Sequence, residues 1–285
     1  MRGWEGVLET MTDLAPAPPP TRVYRHRLPT RIWHWVNAVT LLILLMSGLM
    51  IFNAHPRLYW GQYGANADYA WFAIGSTADT GYVRIGAARV ETTGLLGRWT
   101  DAEGVEKTWA FPGWATIPTS YSLADGRRWH LLFAWVLAIS LTLYMLWTAL
   151  GGHLKKDLHV RRDEWSPRHI WHDIKDHARL RFPTGAAAAR YNILQKLSYI
   201  GIIFILLPLM IATGLTMSPG INAAAPWLLD LFGGRQSARS IHFIGAWALV
   251  AFFLVHIVMV MLAGPVNELR SMVTGWFRLP AEKAK

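Results

Sequence analysis

Four long apolar stretches constrain this chain more than any other feature of it. They run over residues 31–52, 129–150, 194–217 and 241–263, each close to the 20 or so helical residues that cross about 30 Å of hydrocarbon. Inside a bilayer every backbone polar group must be satisfied within its own segment, so each stretch is expected to be a helix. Pro208 lies within the third and is expected to kink it. The composition, 53% hydrophobic and 16% charged, is too apolar for an ordinary soluble domain and too polar for a chain buried wholly in lipid. The expected fold is an all-α membrane protein, a bundle of four transmembrane helices with a long loop joining the first two.

Lysine and arginine set the expected orientation. Arg22, Arg25, Arg27 and Arg31 precede the first helix; Lys155, Lys156, Arg161, Arg162, Arg168, Lys175, Arg179, Arg181, Arg190 and Lys196 crowd the connection between the second and third. Arg270, Arg278, Lys283 and Lys285 follow the fourth. By the positive-inside rule both termini and the central loop (151–192) are expected in the cytoplasm. The loops near 54–128 and 218–239 then face the periplasm of a bacterial inner membrane. The net charge of +10 is thereby accounted for beside the membrane, and no nucleic-acid partner is expected. The 16 tryptophans suit membrane–water interfaces. Residues 1–30, with the Pro-rich run Ala15-Pro16-Ala17-Pro18-Pro19-Pro20, lack the apolar core of a signal peptide and read as a disordered cytoplasmic tail. Residues 31–265 form the membrane domain and 266–285 a second cytoplasmic tail.

The connections carry their own signals. The 54–128 loop is too long to lack structure; Asp101-Ala102-Glu103-Gly104 marks a short hairpin within 89–109. The loop is either a cap over helix ends or a docking surface for a partner. Around Trp165 to Arg181 the chain reads as a basic amphipathic helix on the inner leaflet. Its His169-x-x-His172 pair reads as a solvated face rather than a metal site, because no carboxylate or cysteine framework accompanies it.

The chain has no cysteine, which excludes iron–sulfur clusters held by this chain, c-type haem attachment and disulfides. Of its 11 histidines, His34, His130, His242 and His256 fall in the spans, where ionisable side chains are costly and point to function. His34 starts the first helix on the inner side. His130 starts the second on the outer side, as His242 starts the fourth. His256 lies 14 residues further on. That is about 21 Å along a helix, with the second ring returning to within about 40° of the first. One helix therefore offers two imidazoles on one face at two depths. Pairing by depth joins His130 with His242 and His34 with His256, which suits two bis-histidine b-type haems better than one convergent metal site. A short internal echo supports the arrangement: His130 and His242 each stand four residues before an Ala-Trp pair, Ala134-Trp135 and Ala246-Trp247. Gly48 and Gly214, in Ser47-Gly48 and Thr213-Gly214, would let a macrocycle approach the backbone or simply let helices pack. Arg31, Arg128 and Arg239, with Arg127, stand near the proposed ligands as partners for haem propionates or as ordinary membrane-end arginines.

Arg31-x-x-His34-Trp35-x-Asn37-Ala38, His130 opening the second helix, and His242 with His256 in the fourth resemble the bacterial dihaem cytochrome b subunits of nickel hydrogenases, formate dehydrogenase-N and thiosulfate reductase. The loop ending Phe111-Pro112-Gly113-Trp114-Ala115-Thr116-Ile117-Pro118 is most similar to the thiosulfate-reductase branch, whose members commonly accompany a periplasmic molybdopterin oxidoreductase. The resemblance implies electron transfer between membrane quinone and such a partner, with quinone exchanging near the inner haem. Candidates at that depth are Asn37, Asn192, Gln195, Lys196 and Tyr199. Beyond quinone redox chemistry no enzyme activity of its own is implied. The rival reading is a transporter or anchor whose intramembrane histidines serve without haem; it expects charged residues near the midplane, and the spans carry almost none.

Overall fold

The computed structural model describes residues 22–152, 166–179 and 193–279. The expected 1–21 segment, Asn192 and much of the 151–192 loop lie outside the described residues, as does the side chain of His169.

Among the described residues four helices are long and apolar enough to cross a membrane: α1 (Leu28–Asn53), α2 (Leu123–Leu150), α4 (Ile193–Thr216) and α7 (Arg235–Ala263). Their apolar side chains stay largely uncovered, among them Leu42, Ile139, Leu143, Phe253 and Val255. In water such a surface would aggregate; in lipid it is the ordinary outer face of a bundle. The chain is an integral membrane protein.

The helices begin one to six residues before their apolar stretches, because capping chemistry lies outside the hydrocarbon. Pro29 occupies the first turn of α1, where its missing N–H costs nothing. Ser122 caps α2 by accepting from the backbone N–H of Asp125 and by donating to its carboxylate at 2.7 Å. Pro208 does not break α4. The six residues before it, Gly201–Leu206, wind as a π-helix, a wider turn that accommodates a ring with no N–H to give.

α1 packs along α2 and α4 along α7. A core of Leu137, Leu141, Tyr144, Ile203 and Leu207, with Trp33 and Leu44 against it, joins the two pairs. Trp33 stacks on Tyr144 with centroids 4.3 Å apart.

One end of the bundle carries the long α1–α2 loop, which departs from an all-α description. Strands β2 (Arg57–Leu58), β3 (Phe72–Ser76), β4 (Gly81–Ile85) and β5 (Ala88–Glu91) form an antiparallel sheet in that order. The expected hairpin closes separately, with β6 (Trp99–Thr100) against β7 (Glu106–Lys107) and Asp101 Oδ1 accepting from Glu103 and Val105 N–H. The sheet sits on the helix ends through Phe52, Phe72, Phe111 and Phe243. Asn53 fixes the seam with two bonds to the Phe111 backbone, at 3.2 and 2.8 Å. Two short helices, α5 (Pro219–Ala224) and α6 (Pro226–Leu231), link α4 to α7 at this sheet end.

At the opposite end, residues 22–30 and 266–279, parts of the two segments expected as cytoplasmic tails, are folded. Strand β1 (Arg22–Tyr24) pairs antiparallel with β8 (Trp276–Arg278), and α8 (Pro265–Thr274) runs between α7 and β8. The Arg25 guanidinium lies over the Phe277 ring at 4.6 Å and pairs with Glu268 at 3.4 Å. A further helix, α3 (Pro167–Ala178), follows α2, and His172 there pairs with Asp176.

Candidate functional site

The helices bring the four intramembrane histidines together two by two. His130 of α2 faces His242 of α7 near the sheet end, and His34 of α1 faces His256 of α7 at the other end. Ring centroids are 6.3 Å apart in both pairs, too far for a direct hydrogen bond between the rings. An imidazole reaches about 1.1 Å from centroid to nitrogen, and its metal–nitrogen bonds are about 2.0 Å long. Two rings sharing one ion therefore stand about 6 Å apart. The separation fits a single metal between each pair, and four histidines at two depths cannot serve one common ion.

All four line one continuous cavity of about 2140 Å³, roughly twice the upper end of ordinary small-molecule pockets. Apolar side chains, leucine foremost, form most of its wall, the environment an apolar macrocycle needs.

At the sheet end the imidazoles are held from behind. Ser47 Oγ lies 3.1 Å from His130 Nδ1, and Thr213 Oγ1 lies 2.9 Å from His242 Nδ1. Each hydroxyl has one hydrogen, already committed to its own helix: Ser47 to the Ile43 carbonyl at 2.6 Å and Thr213 to the Leu209 carbonyl at 2.7 Å. Towards histidine each can only accept. Both rings are thus fixed as Nδ1–H tautomers, and both Nε2 atoms keep a lone pair for a metal. Gly48 and Gly214 serve the same rings: a Cβ at Gly48 would lie 3.4 Å from His130 Cε1, and one at Gly214 3.5 Å from His242 Cε1. Larger side chains would displace the imidazoles.

At the opposite end His34 Nδ1 is buried with no partner among the described residues. His256 stacks beside Phe252 at 6.0 Å. Asn37, Gln195 and Tyr199 line the cavity at this end, with Glu268 and Arg25; Lys196 is buried without lining it. His26, set aside from the sequence as lying outside the spans, is buried and lines the cavity too. Only the β1–β8 pairing brings it there.

The arginines divide differently from the sequence expectation. Arg31 bonds the Val273 carbonyl, and Arg128 projects outward to Asp125 at 3.1 Å; neither lines the cavity. Arg239 does, but its guanidinium is bonded to the carbonyls of Arg57, at 3.0 Å, and His55. Arg127, Arg235 and Arg25 are the other arginines on the wall.

The start of α7 is clamped by the loop. Gly61 carbonyl accepts from Gln236 and Ser237 N–H, both at 3.1 Å, and Gly61 N–H donates to Ser237 Oγ at 2.7 Å. Ser240 Oγ donates to the Tyr59 carbonyl and accepts from the Trp71 indole. Gly234 at φ 105° brings backbone within reach of Gln62, where a Cβ would sit 2.6 Å from its amide oxygen. His55, beside this clamp, is held below the ordinary histidine pKa by partial burial and then by the positive charges of Arg239 and Arg57.

The prokaryotic cytochrome b561 family model matches residues 25–275, taking in all four membrane helices and both histidine pairs. The chain belongs to that family. It is 26% identical to an Azospira oryzae protein named as a protein-methionine-sulfoxide reductase subunit, YedZ1, over 81% of this chain and 87% of that one. Two relatives named as Ni/Fe-hydrogenase B-type cytochrome subunits are similar at greater length. The Azotobacter vinelandii protein is 23% identical over 90% of this chain and 88% of its own. The Cupriavidus necator protein is 22% identical over 89% and 86%. No solved structure matches. The chain is a membrane cytochrome b of the electron-transfer subunit type, and b-type haem is the group its family implies. The paired imidazoles, the apolar cavity and the glycines against the rings fit that group.

Proposed function

We propose that this chain holds two haems b, one between His130 and His242 and one between His34 and His256. It passes electrons between the quinone pool and an oxidoreductase on the periplasmic side of the bacterial inner membrane. The observation that carries the reading is the equal 6.3 Å separation of the two ring pairs at the two ends of one cavity. When bound, the haem supplies an iron centre that accepts and releases single electrons. The protein does the rest. Two imidazoles at each site would hold the iron between them and leave no position for oxygen or peroxide. α7 fixes the distance between sites, and the apolar wall excludes water.

The Lys and Arg distribution supports both termini in the cytoplasm, which sets the His34–His256 pair on the inner side and the sheet loop outside. There Asn37, Gln195 and Tyr199 are the polar groups for a quinone headgroup, and Glu268, beside Arg25, is the carboxylate that would take a quinol proton. On the outer side a molybdopterin enzyme is the partner favoured by the Phe111–Pro118 segment. The relatives' names point to two partner classes, a reductase and a hydrogenase, so the partner is the less constrained part of the reading.

Haem content of the purified protein, by pyridine haemochrome against protein concentration, tests the reading. About two protohaems per chain, reducible by added quinol, are expected; none from a host able to supply haem would sink it in favour of a haem-free transporter or anchor.

A further inference from the structure

We propose that the Ser47 and Thr213 hydroxyls are positioning groups for the sheet-end site: each accepts the Nδ1 hydrogen of its histidine, aims Nε2 at the iron, and lowers the reduction potential there. The inference rests on the proposed haem between His130 and His242, and concerns two residues that touch neither the haem iron nor the quinone candidates.

Three observations carry it. The first is the hydrogen-bond count: both hydroxyl hydrogens are committed to carbonyls one turn back, so the contacts at 3.1 and 2.9 Å are accepted from the imidazoles, which also hydrogen-bond the Leu44 and Met210 backbone. The second is burial. Ser47 and Thr213 are 0% exposed, so no water competes for the Nδ1 hydrogen and the bond has its full low-dielectric strength. The third is repetition. A hydroxyl residue followed by glycine, on the helix preceding the histidine's own, stands behind each ring: Ser47-Gly48 of α1 behind His130 of α2, and Thr213-Gly214 of α4 behind His242 of α7. Two helix pairs that otherwise share little sequence repeat one device, and at the other end His34 Nδ1 has no such acceptor among the described residues.

The direction of the effect follows from charge. An acceptor on Nδ1–H makes the ring more basic and Nε2 a stronger donor. The stronger donor favours ferric over ferrous iron. One electron is gained or lost at the iron, the Nδ1 proton stays on the ring, and no bond is made or broken.

The decisive pair of variants is Thr213→Val, which keeps the shape and removes the hydroxyl, and Thr213→Ser, which keeps the hydroxyl and removes a methyl. Ser47→Ala is made alone and with Thr213→Val. Full-length protein is titrated potentiometrically, following each haem by its optical and electron paramagnetic resonance signals. In the double variant the reduced-to-oxidised ratio of the sheet-end haem at fixed potential is expected to rise about tenfold, the lower end of outer-shell effects, which is about 59 mV for one electron. Thr213→Val alone moves it part of the way. Thr213→Ser leaves it near wild type, and the other haem does not move. Loss of the sheet-end haem in Thr213→Val but not in Thr213→Ser also supports the assignment. An unmoved potential in the double variant, or equal losses in Thr213→Val and Thr213→Ser, overturns it. A wild-type protein with fewer than two haems would instead defeat the proposed function itself.

Discussion

The two histidine pairs share one ring separation but not one kind of support. At the sheet end both rings are backed by buried hydroxyls and glycines, and the helix carrying His242 is clamped at its first turn by Gly61, Ser237 and Ser240. At the other end the rings have no hydroxyl acceptor among the described residues, and what encloses them includes elements far apart in the chain: β1, β8 and the Arg25–Glu268 pair. One site is rigid by local hydrogen bonding, the other by a long-range stitch. The difference suits unequal tasks. A site that trades electrons with a protein across a fixed surface gains from fixed geometry, whereas one that admits and releases a small diffusing molecule gains from polar groups it can rearrange.

The largest expected effect breaks the pairing itself. Replacing His130 or His242 by alanine should leave about one haem per chain of two, and replacing both should cost no more than one. His34→Ala and His256→Ala should behave as a second such pair, and haem stoichiometry reads all of these. If His130→Ala and His34→Ala together retained one haem, the assignment by depth would be wrong.

Next in size is Gly214→Val. Its branches would press on the His242 ring and are expected to weaken haem binding at the sheet end about tenfold or more, leaving the other site intact. Haem retention under increasing detergent or imidazole measures it. Glu268→Gln removes the charge partner of Arg25, and being partly exposed should cost only about 1 kcal/mol. Its signature is a lower thermal midpoint for the His34–His256 spectrum than for the sheet-end one.

The smallest effect is on pH. His55 has its folded pKa below the unfolded value of 6.5, so the unfolded state binds the proton first. Its contribution to the clamp is present in full above about pH 6.5 and is lost as pH falls below it. Amide protection over residues 55–62, taken relative to the intrinsic exchange rate at each pH, should therefore fall between pH 7.5 and 5.5, and His55→Gln should remove that dependence.

Much of this was legible in the sequence. Hydropathy finds the four helices, and the 14-residue step from His242 to His256 finds the two depths, because both are periodic along one chain. What hydropathy missed is relational. Ser47 and Thr213 read only as small residues beside glycines, since their role depends on a ring carried by another helix. Arg128 and Arg127 are neighbours in sequence, and only helical phase, about 100° per residue, turns one outward and the other to the cavity. β1 and β8 lie more than 250 residues apart, and three-residue strands carry no pattern that would announce their pairing. The β6–β7 hairpin of the long loop is legible at its turn, but the separate four-stranded sheet is not, for the same reason.

The single rod that carries both His242 and His256 has a consequence for how this gene can change. One residue inserted between them would turn one ring by about 100° and shift it by about 1.5 Å relative to the other, so that one of the two partners across the bundle would be left facing nothing. The stretch from 242 to 256 is therefore a fixed ruler, intolerant of any change in length. The sheet-bearing loop is anchored only at its ends and along the α7 clamp, and its β-turns are free to lengthen. Descendants of this chain can thus be refitted to new protein neighbours outside the bilayer while the distance between the two sites stays as it is.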